Sequence, residues 1–447
     1  MVISMSLLKQ MLLSKQKIVM TVLLVLFWVW ATVGFIGEEI APFLLKVESP
    51  LFFVIDVVIL LMGFLVLRNK WDKIFVALFV TLSFWITCLH NSYGVGFYMN
   101  GLREFVYLLS LVPILRFLYE SDYEDEFVKK FDKALFVFLI VQAICITFQF
   151  VKYGANDHGG GSMGNGFSGI VSILIYAVSF YLMKKRMDPN EYVGSLLKNK
   201  WLVILLYPTF LNETKISFVF FIMYFILLMP VDRRMFVRLI ISSPIVIAVV
   251  VLLFNLYTMA TGNKDDVTSV DYYMNEYLFA GDDNDIVDWM EYLYDHGEDL
   301  AIDGSNDLPR FTKIALIPEL NAEYPGHSIT GYGVGQFKGG TMTERSKFYT
   351  DNEWLLRGSI PYIYQMYIQI GLFSLLFFVW MWFRIFSLKQ KDKKHELGVI
   401  ALIFVQVLVI LCYNDFFAYC IPTFILFYIF SQALRWESNE NKTIETT

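Results

Sequence analysis

The chain has 447 residues, 57% apolar, 17% aromatic and only 17% charged, with a formal net charge of −6. Its mean hydropathy is +0.54. Soluble domains carry roughly a quarter charged residues, so this composition excludes an ordinary soluble enzyme, gives no basis for nucleic-acid binding, and points to the membrane class.

A helix needs roughly 20 apolar residues to cross ~30 Å of hydrocarbon. In chain order, apolar runs at 18–37, 51–67, 74–89, 101–119, 134–151, 167–183, 201–211, 215–230, 237–257, 361–383, 397–413 and 416–431 predict twelve spans. The first run is too long for a signal-peptide core and lacks a small-x-small cleavage site, so it is expected to stay in the membrane. The seventh is short and contains Pro208, which predicts a broken hairpin with the eighth around Leu211-Asn212-Glu213-Thr214-Lys215. Cys88, Cys145, Cys412 and Cys420 all fall in or beside these runs, which gives no disulfide framework and no CxxC metal pattern.

Basic residues set the orientation. With the N-terminus in the cytoplasm, most of the 36 lysines and arginines fall on inner segments, as the positive-inside rule requires. The expected fold is therefore an all-α polytopic membrane protein with both termini cytoplasmic. Helices one to nine occupy 1–257, a large and partly helical extracytoplasmic loop 258–360, helices ten to twelve 361–431, and a cytoplasmic tail 432–447.

A loop of that length is far outside the usual range for a connection, and such loops tend to be functional. Its first half alternates acidic and aromatic residues. Asp282, Asp283, Asp285 and Asp288 miss the EF-hand spacing and its central glycine, so they read as a solvated acidic face. The second half holds Gly331, Gly333 and Gly335, followed by Phe337. Position 336 is glutamine and no βαβ unit surrounds the motif, so a dinucleotide site is not expected. The glycines permit a tight turn and a close backbone approach, with Phe337 able to pin the turn to the membrane surface.

Outer cations are scarce, and cations held at membrane depth usually face a cavity or a partner. Arg103 lies in Asn-Gly-Leu-Arg-Glu at the outer end of the fourth span, Lys215 in the break between the seventh and eighth, and Arg310 with Lys313 in the large loop. Plain alternatives are an Arg103–Glu104 ion pair and snorkelling of Lys215. Arg345, Lys347 and Arg357 read as interface anchors. Asp351 and Asn352 precede the tenth span at headgroup level, where a carboxylate either stays solvated or acts as a general base on a sugar hydroxyl. Glu344, Glu353 and His327 are rival bases on the same loop, and His158 has no metal constellation around it.

The order Arg310, Gly331-x-Gly333-x-Gly335-x-Phe337, Asp351-Asn352-x-x-Leu355 and a following span with Gly371 resembles the O-antigen polymerase and O-antigen ligase superfamily. The Asn212-Glu213-Thr214-Lys215-Ile216-Ser217 break resembles the Ser-Arg break of ligases. The resemblance implies a bacterial inner-membrane glycosyltransferase that needs neither cofactor nor metal. Its donor would be an undecaprenyl-pyrophosphate-linked oligosaccharide, and a flippase and a chain-length regulator would work beside it. Carried over, Arg310 and Lys215 would hold the pyrophosphate, with Arg103 a further candidate, and Asp351 would take the place of the ligases' histidine base. Lys215 keeps the charge of the commoner arginine but not its fork. The Asp-Asn pair favours a polymerase over a ligase, and a lipid-linked oligosaccharide transporter is the reading from another class.

Overall fold

A computed structural model describes residues 5–120, 123–154, 159–188, 191–212, 216–229, 310–337, 344–356, 360–390 and 393–436. The described chain is all-helical, with no strand. Five helices are long and apolar enough to cross a membrane: Leu12–Glu39, Pro42–Leu65, Lys70–His90, Glu124–Tyr153 and Ser168–Arg186. They coincide with the first, second, third, fifth and sixth runs of the sequence. The eighth, eleventh and twelfth form shorter apolar helices, while 237–257 and the acidic half of the loop lie outside the described residues.

Local chemistry sets the helix ends. After α1 (Met5–Glu39) and α2 (Leu45–Leu65), the side chain of Asn69 accepts from the backbone N–H of Trp71 and of Asp72, capping α3 (Lys70–Phe84), which runs on as a π-turn to His90. The chain then continues through α4 (Val95–Gly101) and α5 (Val112–Tyr119). α6 (Glu124–Tyr153) opens on three acids, Glu124, Asp125 and Glu126, which suit the positive end of the helix dipole, and stops at Gly154 with φ 80°. α7 (Ser168–Arg186) is buried without a gap from Ile170 to Met183. The seventh run forms two short helices, α8 (Lys200–Ile204) and α9 (Pro208–Leu211), and α10 (Ile216–Leu228) follows; residues 213–215 of the expected break lie outside the described residues.

Beyond residue 309, short helices α11 (Arg310–Ala315), α12 (Ile317–Glu323) and α13 (Lys347–Asp351) lead to α14 (Tyr362–Ile370), α15 (Phe373–Phe386), α16 (Leu397–Tyr413) and α17 (Cys420–Leu434). α17 is buried along its whole length and packs on α7, α15 and α16. Asp132 of α6 ties three helices together by accepting from Tyr181 Oη of α7 (2.9 Å), Tyr428 Oη of α17 (2.8 Å) and Lys185 Nζ (2.6 Å).

Two expected spans are interrupted. The run 101–119 is not one helix: Leu102–Phe105 is a 3-10 turn and Tyr107–Leu111 a π-turn before α5. Pro113, at the start of α5, has no N–H to give to the preceding turn, and a local change of helix type absorbs the loss. The run 361–383 is also broken, because α14 and α15 meet at 118°. The corner is Gly371 at φ 59°, where a Cβ would run into the carbonyl of Ile329 and crowd the amide of Gly331.

Left-handed backbone costs a non-glycine residue about 1–3 kcal/mol before any clash is counted. Gly371→Ala is therefore expected to lower the thermal midpoint of the purified protein by several degrees. Gly96→Ala, where a methyl group meets nothing within 4 Å, should leave it unchanged. Equal midpoints for the two variants would contradict the packed corner.

Candidate functional site

The glycine turn is threaded into the bundle at the end where α3, α4 and α14 meet. Gly331, Gly333 and Gly335 have φ of 73°, 96° and 112°, a region that side chains disfavour. Each sits against a neighbour. A Cβ on Gly331 would lie 2.6 Å from the Gly371 amide, one on Gly333 3.2 Å from the Tyr93 ring, and one on Gly335 3.0 Å from Phe97. Gly101 faces Gly335 so closely that a methyl group there would enter the Gly335 backbone. The close approach expected from the glycines is thus an approach to the protein's own helices.

Polar bonds fix the turn. Tyr332 and Gly333 donate their amides to the carbonyls of Ile368 (2.7 Å) and Gln369 (3.0 Å). Val334 N donates to Thr87 Oγ1 (2.9 Å) and Gly335 N to Gln369 Oε1 (2.8 Å). Gln369 Nε2 and Gln365 Nε2 both donate to Glu104 Oε2, at 2.5 and 2.7 Å, and Glu104 is wholly buried. The chain Glu104–Gln369–Gly335 thus links the 101–119 segment to α14 and α14 to the turn.

A second, smaller core holds this region together. Leu316 and Leu320 of the α11–α12 segment, Tyr332 of the turn, Phe348 of α13, Leu355 and Ile368 of α14 bury one another, so Arg310, the glycine turn and Asp351 belong to one packed unit. Phe337 is half-buried against this core, so it pins the turn to protein rather than to the membrane surface. Within it, His327 stacks on Tyr332 (4.8 Å between centroids) and Tyr332 on Phe348 (4.0 Å).

Asp351 ends α13, a helix capped by the Ser346 hydroxyl, which accepts from Tyr349 N at 2.9 Å and also bonds the Gln336 side chain. Its carboxylate is exposed, whereas Asn352 turns inward and donates to Phe348 O (3.0 Å) and Tyr324 Oη (3.4 Å). Burial raises the Tyr93 hydroxyl pKa, with Gln336 and Ser346 as opposing hydrogen-bond partners and the Asp351 charge adding to the rise. Tyr324 is raised in the same way, by burial first. Glu353 pairs with Arg345 at 2.6 Å, both partly exposed. His327 has Nδ1 3.2 Å from Tyr324 O and Nε2 3.0 Å from Asn91 Oδ1, so both ring nitrogens face protein oxygens. Of the four rival bases, Asp351 and Glu344 are exposed and have no ion-pair partner among the described residues.

The cations are not gathered on one spot. Arg103 pairs with Asp56 (Nε–Oδ2 3.3 Å), not with Glu104, and donates to Asn100 Oδ1 (3.3 Å) while lying 4.7 Å over the Phe53 ring. Arg310 opens α11, which packs on α16. Lys215, Lys338, Arg357 and His158 lie outside the described residues, but Asn212, at the near edge of the Lys215 break, is buried and donates to Ser168 O (3.2 Å) and Ser172 Oγ (2.9 Å). The sequence reading missed Thr87, Tyr93, Gln365 and Gln369, and paired Glu104 only with Arg103. An amide pair four residues apart in an apolar run was the available signal, since buried amides require partners.

No protein-family model matches the chain, and comparison with curated proteins returns no match.

Burial pushes the His327 pKa below its ordinary 6.5, the charge of His90 adds to this, and the Tyr324 carbonyl opposes it. The packed loop therefore binds protons less readily than the unpacked loop. The stabilisation is present above 6.5 and is lost as pH falls through that value. Limited proteolysis within 324–337 should speed up on acidification from about pH 7.5 to about pH 5.5, and His327→Gln should remove that dependence. An unchanged cleavage rate in the wild type would contradict the assignment.

Proposed function

We propose that the protein polymerises undecaprenyl-pyrophosphate-linked oligosaccharide repeat units of a surface polysaccharide. It would sit in the bacterial inner membrane with twelve crossings, both termini cytoplasmic and the 258–360 segment outside. The observation that carries this reading is the placement of Asp351. It is a solvated carboxylate on a capped helix, in one packed unit with Arg310 and with the glycine turn that is sunk between Gly101 and Gln369. A surface loop with no chemistry to perform does not require a buried anchor of that kind. The motif order from Arg310 to Gly371 supports the same reading.

In this reaction a hydroxyl oxygen of the incoming repeat unit attacks the anomeric carbon of the donor's first sugar. The bond from that carbon to the pyrophosphate oxygen breaks, and its electron pair leaves on undecaprenyl pyrophosphate. Asp351 takes the hydroxyl proton, and Asn352 orients the turn that carries it. Arg310 and Lys215 offset the charge that develops on the leaving group, a role suited to fixed cations. Arg103 is paired with Asp56, so this scheme leaves the pyrophosphate to Arg310 and Lys215.

Loss of a general base typically costs about 10²–10⁴-fold in rate. In deletion cells complemented with Asp351→Asn or Arg310→Ala, surface glycan should consist of single repeat units where wild type gives a ladder, with the protein still made and inserted. Long chains that persist on the lipid carrier would make the protein a ligase. Repeat units stranded on the cytoplasmic side would make it a transporter, and either result overturns the polymerase reading.

A further inference from the structure

The far end of the same helices holds a second charged centre that the proposed reaction does not use. α3 runs from Asp72 to the turn at Thr87, and α15 from the Gly371 corner to Arg384, so Asp72 and Arg384 meet at the end of the bundle away from Glu104. Asp72 is buried and receives two guanidinium groups, Arg384 Nε on Oδ1 at 2.8 Å and Arg116 Nε on Oδ2 at 3.0 Å. Arg384 is as buried as Asp72, at 2% side-chain exposure each, whereas Arg116 keeps 17%.

Two cations on one carboxylate leave one positive charge in excess. Arg384 further donates Nη1 to Leu108 O (2.7 Å) and lies 4.1 Å over the Phe75 ring, but its buried Nη2 has no hydrogen-bond partner among the described residues. A buried guanidinium with an unsatisfied donor is costly unless something nearby offsets its charge. Besides Asp72, no acid among the described residues pairs with either arginine, and Glu120, four residues on from Arg116, is exposed to solvent. Arg116 Nη2 donates to Ser387 Oγ (2.7 Å), which is exposed, and Lys70, Lys73 and Lys389 beside it are exposed too. Glu124, the acid on the neighbouring α6, is already paired with Arg435 at 2.6 Å. Trp71, 66% exposed in the first turn of α3, places this rim at the depth where aromatic residues meet lipid headgroups.

We propose that Arg116, Ser387 and Lys73 form a phosphate site whose anion neutralises the excess charge of the Asp72–Arg116–Arg384 centre. Phosphate oxygens suit the exposed edge of the Arg116 fork, and the Ser387 hydroxyl, which donates to Arg384 O at 2.6 Å, would turn from that carbonyl to meet them. The anion comes either from the headgroup of an anionic phospholipid in the facing leaflet or from free phosphate. Because α3 and α15 reach from here to the glycine turn, occupancy would stabilise the helices on which that turn rests. This inference does not depend on the glycosyltransferase reading.

The test uses the purified full-length chain in detergent, with the thermal midpoint as readout. Phosphatidylglycerol added to wild type should raise the midpoint by at least about 3 °C over the same amount of phosphatidylcholine, through binding to the folded state. Arg116→Gln leaves a neutral Asp72–Arg384 pair, so it should fold as well as wild type in phosphatidylcholine and lose the rise. If inorganic phosphate, compared with chloride at equal ionic strength, gives the whole rise in wild type and none in Arg116→Gln, free phosphate is the source. Asp72→Asn doubles the excess charge and should show a larger lipid-induced rise than wild type, which keeps the test open should Arg116→Gln fail to fold. Equal midpoints in both lipids and in phosphate, a full rise retained by Arg116→Gln, or an Asp72→Asn rise no larger than wild type would overturn the site.

Discussion

Glu104 has no water to turn to, and its environment is built around that fact. Two glutamine amides from one face of α14, Gln365 and Gln369, both donate to its Oε2. A hydrogen bond contributes about 0.5–1.5 kcal/mol net, and a buried polar group that loses its partner costs about 1–3 kcal/mol. α14 is therefore held against the 101–119 segment. Gln369 spends its other amide atom on the Gly335 N–H, and this carries the constraint into the glycine turn.

The unusual backbone lies next to that attachment. Just beyond Gln369 the chain bends by 118° at Gly371, where the Ile329 carbonyl and the Gly331 amide pack against the corner. The turn must then pass between helices with no room for side chains, so glycine stands on both sides of each close contact: Gly331 against Gly371, and Gly335 against Gly101. Small residues allow this kind of approach wherever helices pack within a membrane. The result is a loop whose second half is part of the bundle, and it is on this support that the exposed Asp351 is carried.

Sequence made the helical class and most helix positions legible, because apolar runs longer than a membrane crossing have few other folds open to them. The Pro208 break was readable for the same reason that Pro113 should have been, since each removes a backbone donor. The Gly371 corner was not, because a single glycine in an apolar run is also compatible with a straight span; what bends the chain is the distant Ile329 carbonyl and the Gly331 amide. Within the candidate site, the glycine positions were legible as a close approach, but their partners Thr87, Gly101 and Gln369 are separated from them by up to hundreds of residues. The sequence makes Arg103 a candidate pyrophosphate ligand, with an ion pair to Glu104 as the plain alternative; the geometry gives it Asp56 on α2 rather than Glu104, because the adjacent Glu104 is turned toward α14.

The most direct test of the central claim, that the glycine turn is locked into the bundle through Gln369 and Thr87, is amide hydrogen exchange across residues 332–336. Val334 N–H and Gly335 N–H are buried and bonded in the fold described here. Their exchange should be slowed by at least about a hundredfold relative to an open loop, and Gln369→Ala should release Gly335. Exchange as fast as that of an exposed, unbonded segment would mean that the turn is not seated in the bundle, and the support proposed for Asp351 would fall with it.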